Sequence, residues 1–330
     1  MDWLEANGVG LRYDLAGSSA KTLALLHEMG GSLDSWDMVL PALAASRRVL
    51  RYDPRGAGQS EKVRGALALD TMVDDLAALL DALGIDRPIA LAGCAVGAAI
   101  AIHFAARLPE RTAALIAMSP ATGLAGERRA AGLQRADAVE RDGMRSVVEA
   151  SLAASYPPVL RGDEARFRAF RARWLGNDPS SFAAISRMLA DTEMDGDFAR
   201  IRCPTLVIAG THDRLRPPEA VEPIARAIPG ARWRVIETGY FMAVQTPQPV
   251  ADAITAFLAE IGCWGDSLVS PGLRPSSMLY PGRHPYISRA ARSHQTKRES
   301  SAALFLSRAP WVSANANNEF SPIGRCIKDV

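Results

Sequence analysis

Short apolar runs alternate along the chain with longer stretches in which apolar residues recur every three or four positions. The runs are TLALLH (22–27), VLRY (49–52), PIALAG (88–93), AALIAMS (113–119), PTLVIAG (204–210) and WRVIE (233–237). They are rich in Val, Ile and Leu, as strands buried on both faces of a parallel sheet are. Between them, DTMVDDLAALLDAL (70–83) carries apolar residues at 72, 73, 76, 79, 80 and 83, a helical period, and Gly84 follows as a stop. A second helix is predicted over 247–261, opening on Pro247 and ending before Gly262. Near the start, Asn7-Gly8 separates WLEA from GLRYDL and predicts a tight hairpin. This alternation predicts an α/β protein, a mostly parallel twisted sheet flanked by helices.

Two intervals break the pattern. Residues 121–200 hold no strand signal but carry Arg-rich helical stretches such as EARFRAFRARWLG and SSFAAISRMLA. They predict a helical insertion that caps the strand ends, where ligands of such sheets bind. Beyond Cys263 the chain becomes rich in Ser, Pro and Arg with neither period, and too poor in apolar residues to offset its ordering entropy. The expected organisation is a core of 1–120 and 201–263, a helical cap of 121–200 and a disordered basic tail of 264–330. The tail carries +5, against −3 for residues 1–263.

The overall balance of +2 does not suggest nucleic-acid binding. No apolar stretch approaches the roughly 20 residues of a membrane span, and MDWLEANGVGLRYD lacks the parts of a signal peptide. The four cysteines (Cys94, Cys203, Cys263, Cys326) are scattered, with no metal-ligand spacing. A reducing cytoplasm is the expected setting. No metal or organic cofactor is indicated, and oligomeric state is not legible.

Three motifs stand in a telling order. TLALLH runs into EMGGSLDSW. VLRYDPRGAGQS (49–60) follows the next strand, and PIALAGCAVGAAIAIHFAARLPERTAALIAMSP (88–120) reads as strand, sharp turn, helix and strand. Over about residues 1–263 the chain thereby resembles the α/β-hydrolase superfamily. Within it, the chain looks most like cap-bearing small-molecule hydrolases of the 3-oxoadipate enol-lactonase type. The resemblance implies a nucleophile on a strained strand-to-helix turn, two backbone N–H donors for an oxyanion, a histidine and an orienting carboxylate.

The turn needs small residues two positions before and after its nucleophile. Gly93 and Gly97 supply them around Ala95, whereas centring on Cys94 would bring Val96 into the crowded place. The resemblance therefore places Ala95 at the nucleophile position. Cys94, beside it, reads either as an inert buried residue or as a displaced thiol nucleophile. Val96 and Met29 would offer the oxyanion N–H groups, and His27 would brace their loop. Glu28 stands where the family usually has glycine, and its carboxylate would oppose an oxyanion unless it points away.

Asp213, in AGTHDRLRPPE (209–219), falls at the triad carboxylate; its other reading is a turn former. Gly239 and Pro247 frame Tyr240 at the histidine position. A phenol with a pKa of about 10 is only ~0.1% ionised at pH 7 and makes a poor base. No other histidine replaces it. His103 lies about 12 Å along its helix from the turn, His212 adjoins Asp213 but should point elsewhere, and His284 and His294 fall in the tail.

Loss of the nucleophile or the histidine alone costs a serine hydrolase roughly 10⁶-fold. Three readings stay open. One is an enzyme of non-standard mechanism acting on a small carbonyl compound, an enol-lactone or ester by resemblance. The second is a non-catalytic protein that binds a small-molecule carbonyl ligand, and the third is a decayed hydrolase.

Overall fold

The apolar runs become strands in a computed structural model that describes residues 1–262; the expectations for the tail, Cys263 and Cys326 lie outside the described residues. The strands are β1 (Asp2–Ala6), β2 (Val9–Ala16), β3 (Thr22–Leu26), β4 (Arg48–Tyr52), β5 (Ile89–Cys94), β6 (Thr112–Met118), β7 (Thr205–Gly210) and β8 (Arg232–Ile236). They form one eight-stranded sheet in the order β1-β2-β4-β3-β5-β6-β7-β8. β1 and β2 are a hairpin whose turn residues Asn7 and Gly8 have φ of 51° and 68°, the left-handed pair a two-residue type I′ turn needs. β2 meets β4 antiparallel, and the rest of the sheet is parallel.

The flanking helices are α1 (Leu40–Ala44), α2 (Leu69–Ala82) and α3 (Val96–Arg107). Between β6 and β7 come α4 (Gly126–Asp142), α5 (Val148–Ser155), α6 (Glu164–Leu175), α7 (Pro179–Asp191) and α8 (Asp195–Phe198). After β7 follow α9 (Pro218–Ala227), α10 (Met242–Gln245) and α11 (Pro247–Glu260). The pleat sends alternate residues to opposite faces. Ala24 and Leu26 of β3 join Val73, Ile100 and Val221 from α2, α3 and α9 in one core. Leu23 and Leu25 join Leu43, Ile254 and Phe257 from α1 and α11 in the other. All of β5 is buried, and α3 is composed so largely of Ala and Gly that it lies close against the sheet. Full burial of each Leu or Ile here contributes roughly 1.5–3 kcal/mol relative to exposure.

The insertion has its own aromatic core of Tyr156, Phe170, Trp174 and Phe182, into which Phe241 projects from the loop before α10. The Phe170 and Phe241 rings lie 4.5 Å apart. Polar ties complete the attachment. Asn177 Nδ2 donates to the Gly30 carbonyl at 2.9 Å, and Gln245 Nε2 to that of Ser155 at 2.9 Å. The insertion thus rests on the loops that leave the C-terminal ends of β3 and β8. No helix among the described residues is long and apolar enough to cross a membrane.

Candidate active site

The centre of the site is the turn from β5 into α3. Ala95 has φ 53° and ψ −113°, a conformation that costs an L-residue about 1–3 kcal/mol. Tight packing holds it there. A Cβ on Gly93 would overlap the Gly97 carbonyl, and one on Gly97 would overlap the carbonyls of Leu26 and His27. The Ala95 carbonyl accepts from the N–H groups of Ala99 and Ala121, each at 3.1 Å. The sharp turn therefore persists around a residue with no reactive atom, and Ala95 is fully buried.

Cys94 is also buried, and its thiol donates to the Tyr240 carbonyl at 3.3 Å. Burial, reinforced by the carboxylates of Glu28 and Asp213, pushes the thiol well above its ordinary pKa. That direction removes the thiolate a nucleophilic cysteine needs.

The loop after β3 is braced by local bonds. His27 Nδ1 donates to the Glu28 carbonyl at 2.7 Å. Glu28 folds its carboxylate over Gly31 and accepts from Ser35 Oγ at 2.7 Å. Among the described residues neither the Met29 nor the Val96 N–H has an acceptor. Asp53, with no exposed surface, accepts from Leu33 N at 2.6 Å, Gln59 N at 2.8 Å and Arg12 Nη1 at 3.3 Å. It thereby joins this loop to the one after β4, and Gly58 is glycine because a Cβ there would overlap the Asp53 carboxylate.

Asp213 is buried in the loop after β7. Its Oδ1 accepts from Leu215 N at 2.9 Å and Arg216 N at 2.8 Å, while Ser119 Oγ donates to Oδ2 at 2.6 Å. Burial raises its pKa despite those bonds. Tyr240, half-buried, packs with Ala95, Cys94 and Met242 in one apolar cluster. Burial raises its phenol pKa above the ordinary 10.0, ahead of the downward pull of Arg216. The structure thus gathers Ala95, Cys94, Asp213 and Tyr240, with the 27–29 loop, at one end of the sheet. The other two histidines among the described residues have contacts elsewhere. His103 contacts Asp197 at 2.7 Å and Asp70 at 3.0 Å, and His212 lies 3.9 Å from Glu237.

Above Tyr240, beneath the insertion, lie two cavities of about 370 and 400 Å³. Both are lined by Met29, Arg135, Leu215 and Tyr240, so they adjoin. Neither is lined by Ala95, Cys94 or Val96. Tyr240 lines both cavities and packs against the cluster that holds Ala95 and Cys94.

Comparison with known proteins gives this arrangement its family. The model of the family described as serine aminopeptidase, S33 matches residues 17–242, well over half of the chain. The chain belongs to this family of α/β-hydrolases. RutD, a proposed carbamate hydrolase of Azorhizobium caulinodans, is 28% identical over 265 residues, covering 79% of this chain and 99% of that one. The 3-oxoadipate enol-lactonase 2 of Acinetobacter baylyi is 26% identical over 263 residues, covering 78% and 96%. Among solved structures, a thermophilic esterase from Thermogutta terrifontis superposes with a TM-score of 0.75 at 26% identity, covering 80% of this chain and 100% of that one.

Two features of this α/β-hydrolase escape sequence reasoning. Ser119 is a lone serine at the end of β6, yet it is fully buried, with φ 41°, against Asp213. Only the pairing of β6 with β7 brings the two together. The arginines around the cavity are the second, since they come from α4 and from a loop some eighty residues further on. The Arg-rich character of the insertion was the visible signal for the α4 pair.

Proposed function

We propose that this α/β-hydrolase binds a small carbonyl compound under its helical cap, residues 121–200, and does not turn it over by acyl transfer. One observation carries the reading: the strained turn is intact, but Ala95 at its apex is fully buried in the apolar cluster against which Tyr240 packs. Acyl transfer needs a nucleophile in contact with the carbonyl and a base beside it. Ala95 offers no such atom. The nearby thiol and phenol are both pushed toward their neutral forms, and Asp213 spends its carboxylate on Ser119 and two backbone N–H groups.

The cavity above fits the size of a small-molecule site. Esters, lactones and carbamates, the compounds in the relatives' names, share the carbonyl that such a site would meet. The free thiols among the described residues, Cys94 and Cys203, suit a reducing cytoplasm.

The test uses the full chain with phenyl acetate, an enol-lactone and ethyl phenylcarbamate. Trp174 lines the cavity, so binding is read from tryptophan fluorescence. We expect saturable binding with product release no faster than in a heat-denatured control. Turnover above that control for any of the three, or no binding by all three, overturns the reading.

A further inference from the structure

The cavity of about 400 Å³ is walled by four arginines, Arg128, Arg135, Arg214 and Arg216, and by no carboxylate. Arg128 and Arg135 are seven residues apart on α4 and so share one face of it. Between them that face carries only Ala131 and Gly132, which leaves the cavity open in front of the guanidinium groups. Arg214 and Arg216 flank Leu215 in the loop after β7, whose backbone is pinned by the Asp213 carboxylate. The triad acid position thus sets the loop that presents two of the four charges.

None of the four makes an ion pair with a described carboxylate, although α4 pairs its other arginines readily. Arg129 meets Asp191 and Arg141 meets Asp142. Two other cavities hold fewer arginines, each with at least one carboxylate in its lining. The one containing Arg12 and Arg173 also holds Asp34, the partner of Arg12 at 3.1 Å. The one beside His103 is lined by Asp70, Asp191 and Glu193. Four arginines with no carboxylate in the lining set the space over Tyr240 apart from those two cavities.

Arg135 is held ready. Its Nη2 donates to Ser151 Oγ at 2.7 Å, and its guanidinium lies 5.8 Å from the centroid of the Phe182 ring. Arg216 Nη2 reaches the Gly123 carbonyl at 3.5 Å. These contacts leave most N–H donors of both groups free, and a guanidinium fork matches a carboxylate in geometry as well as charge. The adjoining cavity adds the aromatic walls of Trp174, Phe182 and Phe241.

We propose that the space over Tyr240 selects a small organic carboxylate, its charge held by Arg128, Arg135, Arg214 and Arg216 and its apolar body set against Trp174, Phe182 and Phe241. This rests on the reading of the cavity as a ligand site and names the chemistry of its ligand: a carbonyl compound that also carries a carboxylate. Clustered like charges in a cleft also draw anions in from solution, an effect that salt weakens.

Isothermal titration of the full chain tests this with phenylacetate, its neutral isostere phenylacetamide and inorganic phosphate. Phenylacetate is expected to bind one to one, at least tenfold tighter than either of the others, and to weaken when NaCl is raised from 0.05 to 0.5 M (about 14 Å to 4 Å in screening length). Arg135→Gln/Arg216→Gln should lose at least tenfold in phenylacetate affinity. Arg226→Gln, which alters a guanidinium paired with Glu222 away from the cavity, should lose none. Equal binding of phenylacetamide overturns the charge selection and leaves the ligand site standing. Equal binding of phosphate overturns the apolar half of the proposal. Undiminished binding by the double variant overturns the assignment of the arginines, and no saturable binding by any probe overturns the ligand site as well.

Discussion

The turn around Ala95 and the cavity above Tyr240 are neighbours built on opposite terms. At the turn, the packing is close. Gly93 and Gly97 admit no Cβ, Ala95 and Cys94 are buried, and the backbone is held at φ 53°. The cavity is open and lined by arginines from α4 and the loop after β7, none of them ion-paired with a described carboxylate. The first region keeps a strained strand-to-helix turn with no reactive side-chain atom at its apex. The second keeps room for a ligand and the groups to recognise one. The turn is fixed by packing among α3, β3 and β5 and not by its apex side chain.

The most disruptive way to break the comparison is to crowd the turn. Gly97→Val would drive its side chain into the carbonyls of Leu26 and His27, and is expected to cost about 3 kcal/mol or more. Urea unfolding would show it as a lower midpoint. A loss below about 1 kcal/mol would mean that the turn does not depend on this packing.

His103 offers a pH-dependent test of how the helix of the turn is tied to the insertion. It sits on α3 and reaches Asp70 on α2 and Asp197 on α8. Burial opposes its protonation, but the two carboxylates prevail and raise its pKa above the ordinary 6.5. Protonation is thus favoured in the folded state, so the stability it contributes is fully present below pH 6.5 and is lost as pH rises through the folded value. His103→Gln should destabilise by about 1 kcal/mol at pH 6, discounted for the exposed Asp70, and by less at pH 9. An equal loss at both pH values would contradict the paired, protonated state. The lowered pKa of Asp70 acts in a separate window, its contribution fading as pH falls through the acid range.

The smallest effect is the most specific to strain. Ala95→Gly relieves the positive φ but removes a buried methyl and adds chain entropy. The net is expected on the stabilising side and within about 1 kcal/mol of zero. A clear loss in thermal unfolding would show that Ala95 is unstrained.

Much of this was legible in the sequence. Apolar runs become strands because a doubly covered sheet accepts little else, and Asn7-Gly8 marks the hairpin because both positions need positive φ. The two glycines around Ala95 identify the turn by sterics alone. What stayed hidden depends on distance in sequence. Nothing near Ser119 announces its bond to Asp213, and nothing in α4 announces that Arg128 and Arg135 will face Arg214 and Arg216. The fate of Glu28 was equally open until Ser35 was seen to hold its carboxylate over Gly31.

We infer that the fold is competent for acyl transfer and that the side chains of Ala95 and Tyr240 withhold its chemistry. The most direct measurement compares kcat/KM for phenyl acetate between the natural full chain and Ala95→Ser/Tyr240→His. The natural chain is expected at the level of a heat-denatured control and the double variant at least about a hundredfold above it, within the roughly 10⁶-fold that a complete triad supplies. Saturable turnover by the natural chain, with no gain in the double variant, would contradict it.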